Sequence, residues 1–457
     1  MTRSLVVGFG LTGQDLAGVL SAREEPPIVI EDHPGPDSAQ AAAAAGVDMV
    51  VAPDAGLLAA LVQQVDQVVP SPGVAPTHPV YALAEEAGTP VVSEIEVAWR
   101  LLAERGQRGT APALVAVTGT NGKTTVATWV AGILREAGRR VVLAGNVGRP
   151  LVGAVSEDAD VIVAEVSSFQ LHFSQEFHPW ISCWLNISDD HLDWHPIPAH
   201  YATAKARVWA NQAPGDSAVV NAEDPTVMSA AASLPQGVRE VCFSTRRSDC
   251  DFSEQGPSLL GPGGQLLMGV EALPRSLPHD RANALAAAAV AWAAGADLPS
   301  CARGLRHAPA LPHRVTLVAE AGGVGWYDDS KATTPASVRA AVEGFDSVVL
   351  IAGGRNKGLD LSVLSSLAPP VKAVVGIGEA APEVSGAFRG KAATWEAKSM
   401  EAAVELAAAA AVPGDTVLLS PGCASFDWYA SYSERGDHFA ALVRKIVSGR
   451  QDDDRDN

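Results

Sequence analysis

The stretch of sequence that decides the fold is Thr118-Gly119-Thr120-Asn121-Gly122-Lys123-Thr124-Thr125. An apolar run, Leu114 to Val117, precedes this stretch, and a helical pattern, Val126 to Ala137, follows it. A strand, a glycine-rich loop, a lysine, a threonine and a helix in this order predict a loop whose backbone N–H groups face the phosphates of a nucleotide. Lys123 can reach the β- and γ-phosphates, and the Thr124 hydroxyl is placed to bind Mg²⁺. We therefore predict that the loop binds ATP.

The loop is a shortened variant of the pattern G-x-x-x-x-G-K-[ST], because Val117 stands where that pattern has its first glycine. Two polar segments farther along the chain each begin directly after a predicted strand. Glu165 follows the strand Val161 to Ala164, and a segment with His191 follows the strand Ser182 to Leu185. Ligands of open α/β sheets bind at the carboxyl ends of the strands, so both side chains are expected near the phosphates. Glu165 and His191 are therefore candidate metal ligands.

A second glycine-rich turn lies near the start of the sequence. Gly8-Phe9-Gly10-Leu11-Thr12-Gly13 follows the predicted strand Leu5 to Val7, and a further predicted strand, Ile28 to Ile30, ends at Glu31-Asp32. A dinucleotide-binding fold has its ribose-binding acid at that place. The turn predicts a nucleotide diphosphate at a helix N-terminus, held by backbone N–H groups and the helix dipole. From these residues alone, NAD and another nucleotide diphosphate both remain open.

Composition and patterning indicate a packed protein of several domains. The chain has 457 residues, of which 47% are hydrophobic and 19% charged, and short Val/Ile/Leu runs alternate with Ala-rich helical stretches. This alternation predicts an α/β fold in which helices cover parallel sheets on both faces. Two breaks rich in Gly or Pro, Glu104 to Pro112 and Arg303 to Pro312, predict three domains with bounds 1–108, 109–309 and 310–457.

Charge and cysteine content exclude several classes of function. The formal net charge of −19 is poorly suited to nucleic-acid binding, although clustered cations could still bind small anions. The five cysteines form no C-x-x-C pair, which indicates reduced thiols. The longest apolar stretch, Ala284 to Ala294, is too short to span a bilayer, and we find no signal-peptide core. We expect a cytoplasmic monomer with no nucleic-acid or membrane partner.

Further motifs occur along nearly the whole chain. They are G-N-x-G at Gly145 to Gly148, E-V-S-S-F-Q at Glu165 to Gln170, N-I-S-D-D-H-L-D at Asn186 to Asp193, A-K-x-R at Ala204 to Arg207, N-A-L-A at Asn283 to Ala286, and His313-Arg314. With the phosphate-binding loop, they make the sequence resemble the Mur ligases of peptidoglycan synthesis, which are ATP-dependent amide-forming enzymes. Three motifs resemble the glutamate-adding branch of that family: Asp329 to Thr333, Gly353 to Gly358 and Ser420 to Asp427.

This resemblance implies a fold and a reaction. The fold is α/β with a Rossmann-like N-terminal domain for UDP, a central P-loop ATPase domain with a parallel sheet, and a Rossmann-like C-terminal domain for the amino acid. In the implied reaction, ATP phosphorylates the L-Ala carboxylate of UDP-N-acetylmuramoyl-L-alanine, and the amine of D-glutamate displaces phosphate from the acyl phosphate. The turn at Gly8 to Gly13 would then lie near UDP and not NAD.

The resemblance also implies the site residues. The catalytic set is Lys123, Glu165, His191, Lys205 and Lys331, and two Mg²⁺ ions are held by Thr124, Glu165, His191 and Lys205, the last as a CO₂-derived carbamate. ATP is held by Gly119, Thr120, Asn121, Gly122, Lys123, Thr124, Thr125, Asn283, Arg314 and Asp329. The UDP-sugar is held by Leu11, Thr12, Ser71, Gly73, Asn146 and Ser167, and D-glutamate by Thr333, Lys357, Ser425 and Tyr432. Without the resemblance, Lys205 would be taken for a solvated helix lysine.

Some residues depart from the family pattern, and other functions stay open. This chain has Glu31-Asp32-His33 where the glutamate-adding branch often has Asp-Thr-Arg, and Tyr432 stands where Phe is common. A folylpolyglutamate-synthase-like ligase shares the P-loop, but the N-terminal segment and Asp329 to Thr333 argue against it. A catalytically silent nucleotide-binding protein is the other alternative. The presence together of Lys123, Glu165, His191 and Lys205 argues against that class.

Overall fold

The computed structural model describes residues 3–23, 26–146, 148–190, 194–195 and 197–453. Within these residues, the strands form three sheets, and the chain divides into two compact units. The first unit contains the first two sheets, and the second contains the third sheet with the segments 188–190 and Pro274–Arg281. Most strand pairs are parallel and helices connect them, so the predicted α/β class is confirmed.

The first sheet has the strand order of a Rossmann-like fold. Its strands are β1 (Ser4–Val7), β2 (Ile28–Glu31), β3 (Met49–Val51) and β4 (Gln67–Pro70), and the helices of this part are α1 (Leu11–Ser21), α2 (Ser38–Ala45), α3 (Ala55–Gln63), α4 (Pro79–Ala87) and α5 (Glu94–Gln107). The order is β3-β2-β1-β4, with all pairs parallel. The side chains of β1 are almost fully buried on both faces, which explains its continuous apolar sequence.

The second sheet carries the phosphate-binding loop between β5 (Ala113–Thr118) and α6 (Lys123–Glu136). Its other elements are β6 (Val141–Gly145), α7 (Leu151–Ala154), β7 (Val161–Glu165), α8 (Ser168–His172), β8 (Ile181–Trp184), α9 (Pro198–Ala206), β9 (Ser217–Asn221), α10 (Pro225–Ala231), β10 (Arg239–Ser244), β11 (Phe252–Gln255), β12 (Ser258–Gly261), β13 (Gln265–Gly269), α11 (Pro278–Ala293) and α12 (Leu298–Arg306). In the order β13-β12-β11-β10-β9-β8-β5-β7-β6, β5 lies between β7 and β8. The polar residues after these three strands therefore meet at one edge.

Small residues let the helices of this sheet pack closely. The alanines of α11 from Ala284 to Ala289 are fully buried. On α12, a Cβ added at Gly304 would lie 2.6 Å from the Cα of Ile133 in α6, so only glycine permits this contact. The helix predicted for Val126 to Ala137 is confirmed as part of α6, which buries Val126, Val130 and further residues at helical spacing.

The third sheet belongs to the second unit. Its elements are β14 (Thr316–Ala321), β15 (Val324–Asp328), α13 (Pro335–Val342), β16 (Val348–Gly353), β17 (Val371–Ile377), α14 (Ala381–Phe388), β18 (Ala393–Glu396), α15 (Met400–Ala410), β19 (Thr416–Leu419) and α16 (Tyr432–Asp453). The order is β14-β15-β19-β16-β17-β18, and the pairs from β15 to β18 are parallel. Only the edge strand β14 pairs antiparallel, in a hairpin with β15.

Both segments predicted as breaks begin inside helices. Residues 104–107 are the last turn of α5, and residues 303–306 are the last turn of α12. The glycines and arginines there are compatible with a helical end, so composition placed both breaks a few residues too early. The domain bounds at 108 and 309 stay a prediction. Among the described residues, no helix combines the length and apolar character needed to cross a membrane.

Candidate functional site

The phosphate-binding loop has its shape because of glycine and a neighbouring asparagine. Gly122 has φ +83°, a conformation that side chains rarely adopt. A Cβ added to Gly122 would also lie 2.7 Å from the side-chain Oδ1 of Asn283. Asn283, which was predicted to bind ATP, therefore packs against the last residue of the loop before α6.

Asn186 holds the other half of the loop. Its Oδ1 accepts hydrogen bonds from the N–H groups of Thr120 at 3.1 Å and Asn121 at 2.9 Å, and its Nδ2 donates to the Asn121 carbonyl at 3.1 Å. The prediction that the loop N–H groups face phosphate is thus wrong for these two. The helix α6 begins at Lys123, so its N-terminal partial positive charge still lies at this loop. Asn186 was not among the predicted site residues, although it begins the polar segment that follows β8 after one residue.

A lysine, a hydroxyl and a carboxylate meet beside this loop. Lys123 Nζ donates to the Thr120 carbonyl at 2.9 Å. The hydroxyl of Thr124 donates to Glu165 Oε2 at 2.8 Å, and Asn146 Nδ2 donates to Glu165 Oε1 at 3.1 Å. Glu165 is only 2% exposed. The structure therefore brings together Lys123, Thr124 and Glu165, as the sequence predicted.

The predicted metal site is only partly described. Hydroxyl and carboxylate oxygens are ligands that Mg²⁺ prefers, so Thr124 and Glu165 fit this ion. His191 lies outside the described residues. Within the described part of the chain, no three or more His, Cys, Asp or Glu side chains form a group that could hold a metal.

Lys205 of α9 is buried against the same loop. It is 1% exposed, and its Nζ donates to the Gly119 carbonyl at 2.8 Å. The Nζ also lies 4.5 Å from the centre of the Tyr201 ring, whose hydroxyl is 3.2 Å from that of Thr120. The alternative that Lys205 is a solvated helix lysine is therefore wrong.

A cavity of about 670 Å³ opens at the carboxyl edge of the first sheet. Five of the six predicted UDP-sugar residues line it: Leu11, Thr12, Ser71, Gly73 and Asn146. Ser167 does not line this cavity. It caps α8 instead, because its hydroxyl accepts the N–H of Gln170, whose own side chain reaches back to the Ser167 N–H at 2.9 Å. Gln170, which was not among the predicted site residues, lines the cavity.

The two acids after β2 have different partners. Glu31 accepts the N–H of Phe9 through Oε2 at 2.6 Å and the N–H of His33 through Oε1 at 3.0 Å. Asp32 Oδ2 lies 3.0 Å from His78 Nε2. Both acids line the cavity. Glu31 therefore fixes the glycine-rich turn, although its position in the sequence is typical of a ribose-binding acid.

In the second unit, a buried arginine connects two loops that carry predicted site residues. Arg435 is 1% exposed, and burial lowers its pKa to about 10. Its guanidinium donates to the hydroxyl and carbonyl of Ser330, both at 2.9 Å, and to the carbonyls of Cys423 and Ala424, each at 3.2 Å. The segments around residues 330 and 424 are thereby held together. Nothing in the sequence signalled Arg435.

The residues predicted to bind D-glutamate follow the carboxyl ends of three strands of the third sheet, β15, β16 and β19. Backbone hydrogen bonds of 2.9 and 3.0 Å join Arg355 and Ala424. Arg355 lies two residues before Lys357, and Ala424 directly precedes Ser425. Lys357 Nζ lies 3.7 Å from the Asp190 carboxylate. A bond of 2.9 Å from the Gly422 N–H to the Ala332 carbonyl places the loop before Thr333 beside them.

Lys331 and Tyr432, which follow β15 and β19, are in contact. Lys331 Nζ lies 3.8 Å from the centre of the Tyr432 ring, which is a cation–π contact. Burial raises the pKa of Tyr432, but the Lys331 charge, side-chain hydrogen bonds with Ser433 and Lys331, and the Arg314 charge together outweigh it, so the net shift is downward. Lys331 therefore stabilises negative charge in its surroundings.

Three family models match the chain over most of its length. The Mur ligase MurD-like N-terminal domain matches residues 2–93, the Mur ligase middle domain residues 117–291, and the Mur ligase glutamate ligase domain residues 313–423. The chain belongs to the Mur ligase family. The predicted resemblance and the predicted fold class are confirmed.

Curated relatives cover nearly the whole of this Mur ligase. A protein of Pelotomaculum thermopropionicum is 39% identical over 97% of this chain and 98% of its own length, and one of Rubrobacter xylanophilus is 39% identical over 98% and 100%. Both are named UDP-N-acetylmuramoylalanine--D-glutamate ligase. Among solved structures, MurF from Acinetobacter baumannii has a TM-score of 0.63 at 17% identity and covers 97% of this chain and 93% of its own. That likeness shows the fold.

Asp329 of this Mur ligase gives a prediction about pH. Its carboxyl is buried, Oδ2 accepts the Ser420 hydroxyl at 2.8 Å and Oδ1 the Val315 N–H at 3.3 Å, and burial raises its pKa to about 7. Since the unfolded-state pKa is lower, about 3.9, the stabilisation from neutral Asp329 is complete below about pH 4 and is lost as pH rises to about 7.

We therefore expect the free energy of unfolding of the wild type to fall, relative to Asp329→Asn, by up to about 1.4 kcal/mol per pH unit in this range. Urea unfolding of both proteins at pH 5, 6, 7 and 8 measures the difference. A difference that stays constant, or that changes in the opposite direction, would contradict the prediction.

Proposed function

We propose that this Mur ligase adds D-glutamate to UDP-N-acetylmuramoyl-L-alanine, with ATP, through an acyl phosphate, in cytoplasmic synthesis of peptidoglycan precursors. The observation that carries the proposal is the convergence of Lys123, Thr124, Glu165 and Lys205 on one glycine-rich loop. The names of relatives 39% identical over nearly the full chain support the choice of glutamate.

A carboxylate is a poor electrophile, and the loop residues address this problem. Lys123 and the N–H groups at the start of α6 would bind the γ-phosphate and offset its charge as it approaches the substrate carboxylate. Thr124 and Glu165 would hold Mg²⁺, which supplies further positive charge to the phosphates. Asn283 and the loop backbone would orient the nucleotide.

The cavity beside the first sheet is proposed to bind the UDP-sugar. The N-terminus of α1 at Leu11 presents N–H groups and a partial positive charge, which suit a diphosphate. The glycine-rich turn before α1 is kept in shape by Glu31. Leu11, Thr12, Ser71, Gly73 and Asn146 are its proposed contacts, with Ser167 acting through the cap of α8.

In the second unit, Lys357 is the proposed cation for a glutamate carboxylate, and Thr333, Ser425 and Tyr432 supply hydroxyls. Arg314 and Asp329 are proposed to contact ATP, and Lys331 the transferring phosphate. We also propose that residues 1–108, 109–309 and 310–457 act as separate domains.

Lys205 carries a prediction about charge. We propose that it reacts with CO₂ to form a carbamate, an anion that would steady a second Mg²⁺. Lys205→Ala should then lose at least about 100-fold in turnover, and acetate should restore part of it by occupying the space that the anion leaves. Lys205→Arg should stay inactive, because a guanidinium forms no such carbamate and keeps its charge. Steady-state rates with and without acetate measure both effects.

Chloride at the same ionic strength is the control for acetate, and Thr203→Ala on the exposed face of α9 is the control for the helix. Full activity of Lys205→Arg would show that a positive charge is sufficient at this position, and the carbamate would be ruled out.

The proposed function as a whole is tested with purified protein, ATP, Mg²⁺, UDP-N-acetylmuramoyl-L-alanine and D-glutamate. Phosphate release and a product mass equal to that of both substrates joined with loss of water are expected. Phosphate release only in the presence of both substrates would support coupled ligation. ATP hydrolysis without a joined product would contradict it, and binding of a nicotinamide cofactor, seen by fluorescence, would favour an oxidoreductase.

A further inference from the structure

Glu94 has a buried carboxylate and is not one of the residues proposed to contact ATP, Mg²⁺, the UDP-sugar or D-glutamate. Glu94 is the first residue of α5 and is 1% exposed. Its Oε1 accepts the backbone N–H of Val152 at 2.9 Å, and its Oε2 accepts the side-chain Nε2 of Gln170 at 3.1 Å. One carboxylate therefore connects the start of α5 with α7 and α8.

One partner of Glu94 lies in the wall of the 670 Å³ cavity, and the other follows a segment of that wall. Gln170 lines the cavity directly. Val152 is in the first turn of α7, which begins immediately after the segment with Gly145, Asn146, Gly148 and Pro150, and these four residues also line it. Glu94 is thus hydrogen-bonded to Gln170 in the wall and to Val152, which follows the wall segment that ends at Pro150.

The hydrogen bonds determine which way the Gln170 amide points. Its Oε1 accepts both the N–H and the hydroxyl of Ser167, each at 2.9 Å, so its NH₂ group must face Glu94. Each oxygen of Glu94 faces an N–H donor. An amide in place of the carboxylate would turn its own NH₂ toward one of these donors, and one bond would be lost.

Glu94 lies in surroundings that disfavour a negative charge. Burial raises the pKa of Glu94, the bonds from Val152 and Gln170 lower it, the nearby Asp15 carboxylate raises it again, and the result is a pKa of about 7. The N-terminus of α5 also favours an anion. Packing alone does not need a buried acid at this position.

We propose that Glu94 is a positioning residue for the nucleotide-sugar cavity, because it orients the Gln170 amide and anchors the segment before α7. The wall is thereby formed before the ligand arrives, and the ligand does not have to order it. This inference rests on the proposed function of the cavity.

Glu94→Gln tests the proposal, and Glu96→Gln is the matched control. Glu96 is also buried on α5, but its carboxylate accepts the N–H groups of Gln175, Glu176 and Phe177. Binding of UDP-N-acetylmuramoyl-L-alanine is measured by calorimetry without ATP, and thermal melting shows that the variants fold. We expect Kd to rise about tenfold in Glu94→Gln and to change less than about twofold in Glu96→Gln.

Steady-state kinetics give a second reading. In Glu94→Gln, KM for the UDP-sugar should rise about tenfold and KM for ATP should change less than about twofold. If Glu94→Gln does not fold, Glu94→Asp, which keeps the charge on a shorter side chain, should raise Kd about threefold.

Unchanged Kd in a folded Glu94 variant would overturn the inference alone. An equal rise in Glu96→Gln would also overturn it, because any buried change on α5 would then weaken binding. If the wild type does not bind the UDP-sugar, the proposed function fails, and this inference fails with it.

Discussion

Lys123→Ala should fold normally and lose at least about 100-fold in turnover, which corresponds to about 3 kcal/mol of transition-state stabilisation. The shape of the loop is set by the φ of Gly122, by Asn283 and by the hydrogen bonds of Asn186, so the alanine variant keeps the loop. What it loses is the ammonium group, which donates to the Thr120 carbonyl at 2.9 Å. The measurement is ATP- and substrate-dependent phosphate release.

Arg135→Ala is the control for Lys123→Ala, because Arg135 is an exposed cation in the last turn of the same helix, α6. It should keep turnover and melting temperature near those of the wild type. Turnover near the wild-type value in Lys123→Ala would contradict the assignment of this loop to ATP.

Features that depend on neighbours in sequence could be predicted from the sequence. The loop between β5 and α6 is one example, since strand, glycines, Lys123 and helix lie within a single stretch and their order fixes the geometry. The same holds for the turn before α1. The carboxyl-end rule also placed Glu165 correctly, because parallel strands bring their ends to one edge wherever they lie in the sequence.

Features that depend on distant side chains could not be predicted. Glu94 and Gln170 are separated by 76 residues, and Arg435 and Ser330 by 105, so no local pattern indicates these bonds. Ser167 was assigned by motif alone, although Ser-x-x-Gln is itself a capping signal and would have indicated its role in α8. Asn186 was visible after β8, but an asparagine there does not reveal that it binds the loop.

Glutamate should be selected over D-alanine, L-lysine and meso-diaminopimelate by a factor of about 10⁴ in kcat/KM, because polar sites reject analogues that lack a recognised group. Glutamate brings two carboxylates and must present a neutral amine. Lys357 is the cation proposed for one carboxylate, and the hydroxyls of Thr333, Ser425 and Tyr432 suit the other. The preference for the D configuration is taken from the names of the relatives.

The charges around Lys357 also favour glutamate over lysine and diaminopimelate as the acceptor. Lysine and diaminopimelate carry a distal ammonium group, which would need an unneutralised carboxylate. The Asp190 carboxylate lies 3.7 Å from Lys357 Nζ, and the two charges already offset each other. A glutamate carboxylate can replace Asp190 as partner of Lys357, whereas a distal ammonium would be repelled by Lys357 and by Lys331.

A competition assay with the four amino acids at equal concentration, analysed by product mass, measures this selection. Lys357→Met should remove most of the advantage of glutamate over D-alanine, since the charged partner of one carboxylate is lost while the volume is kept. Lys372→Met is the control, because Lys372 pairs with Asp415 at the opposite, amino-terminal end of β17. A dominant lysine or diaminopimelate product would contradict glutamate selection and would leave the phosphate-binding loop and its chemistry unaffected.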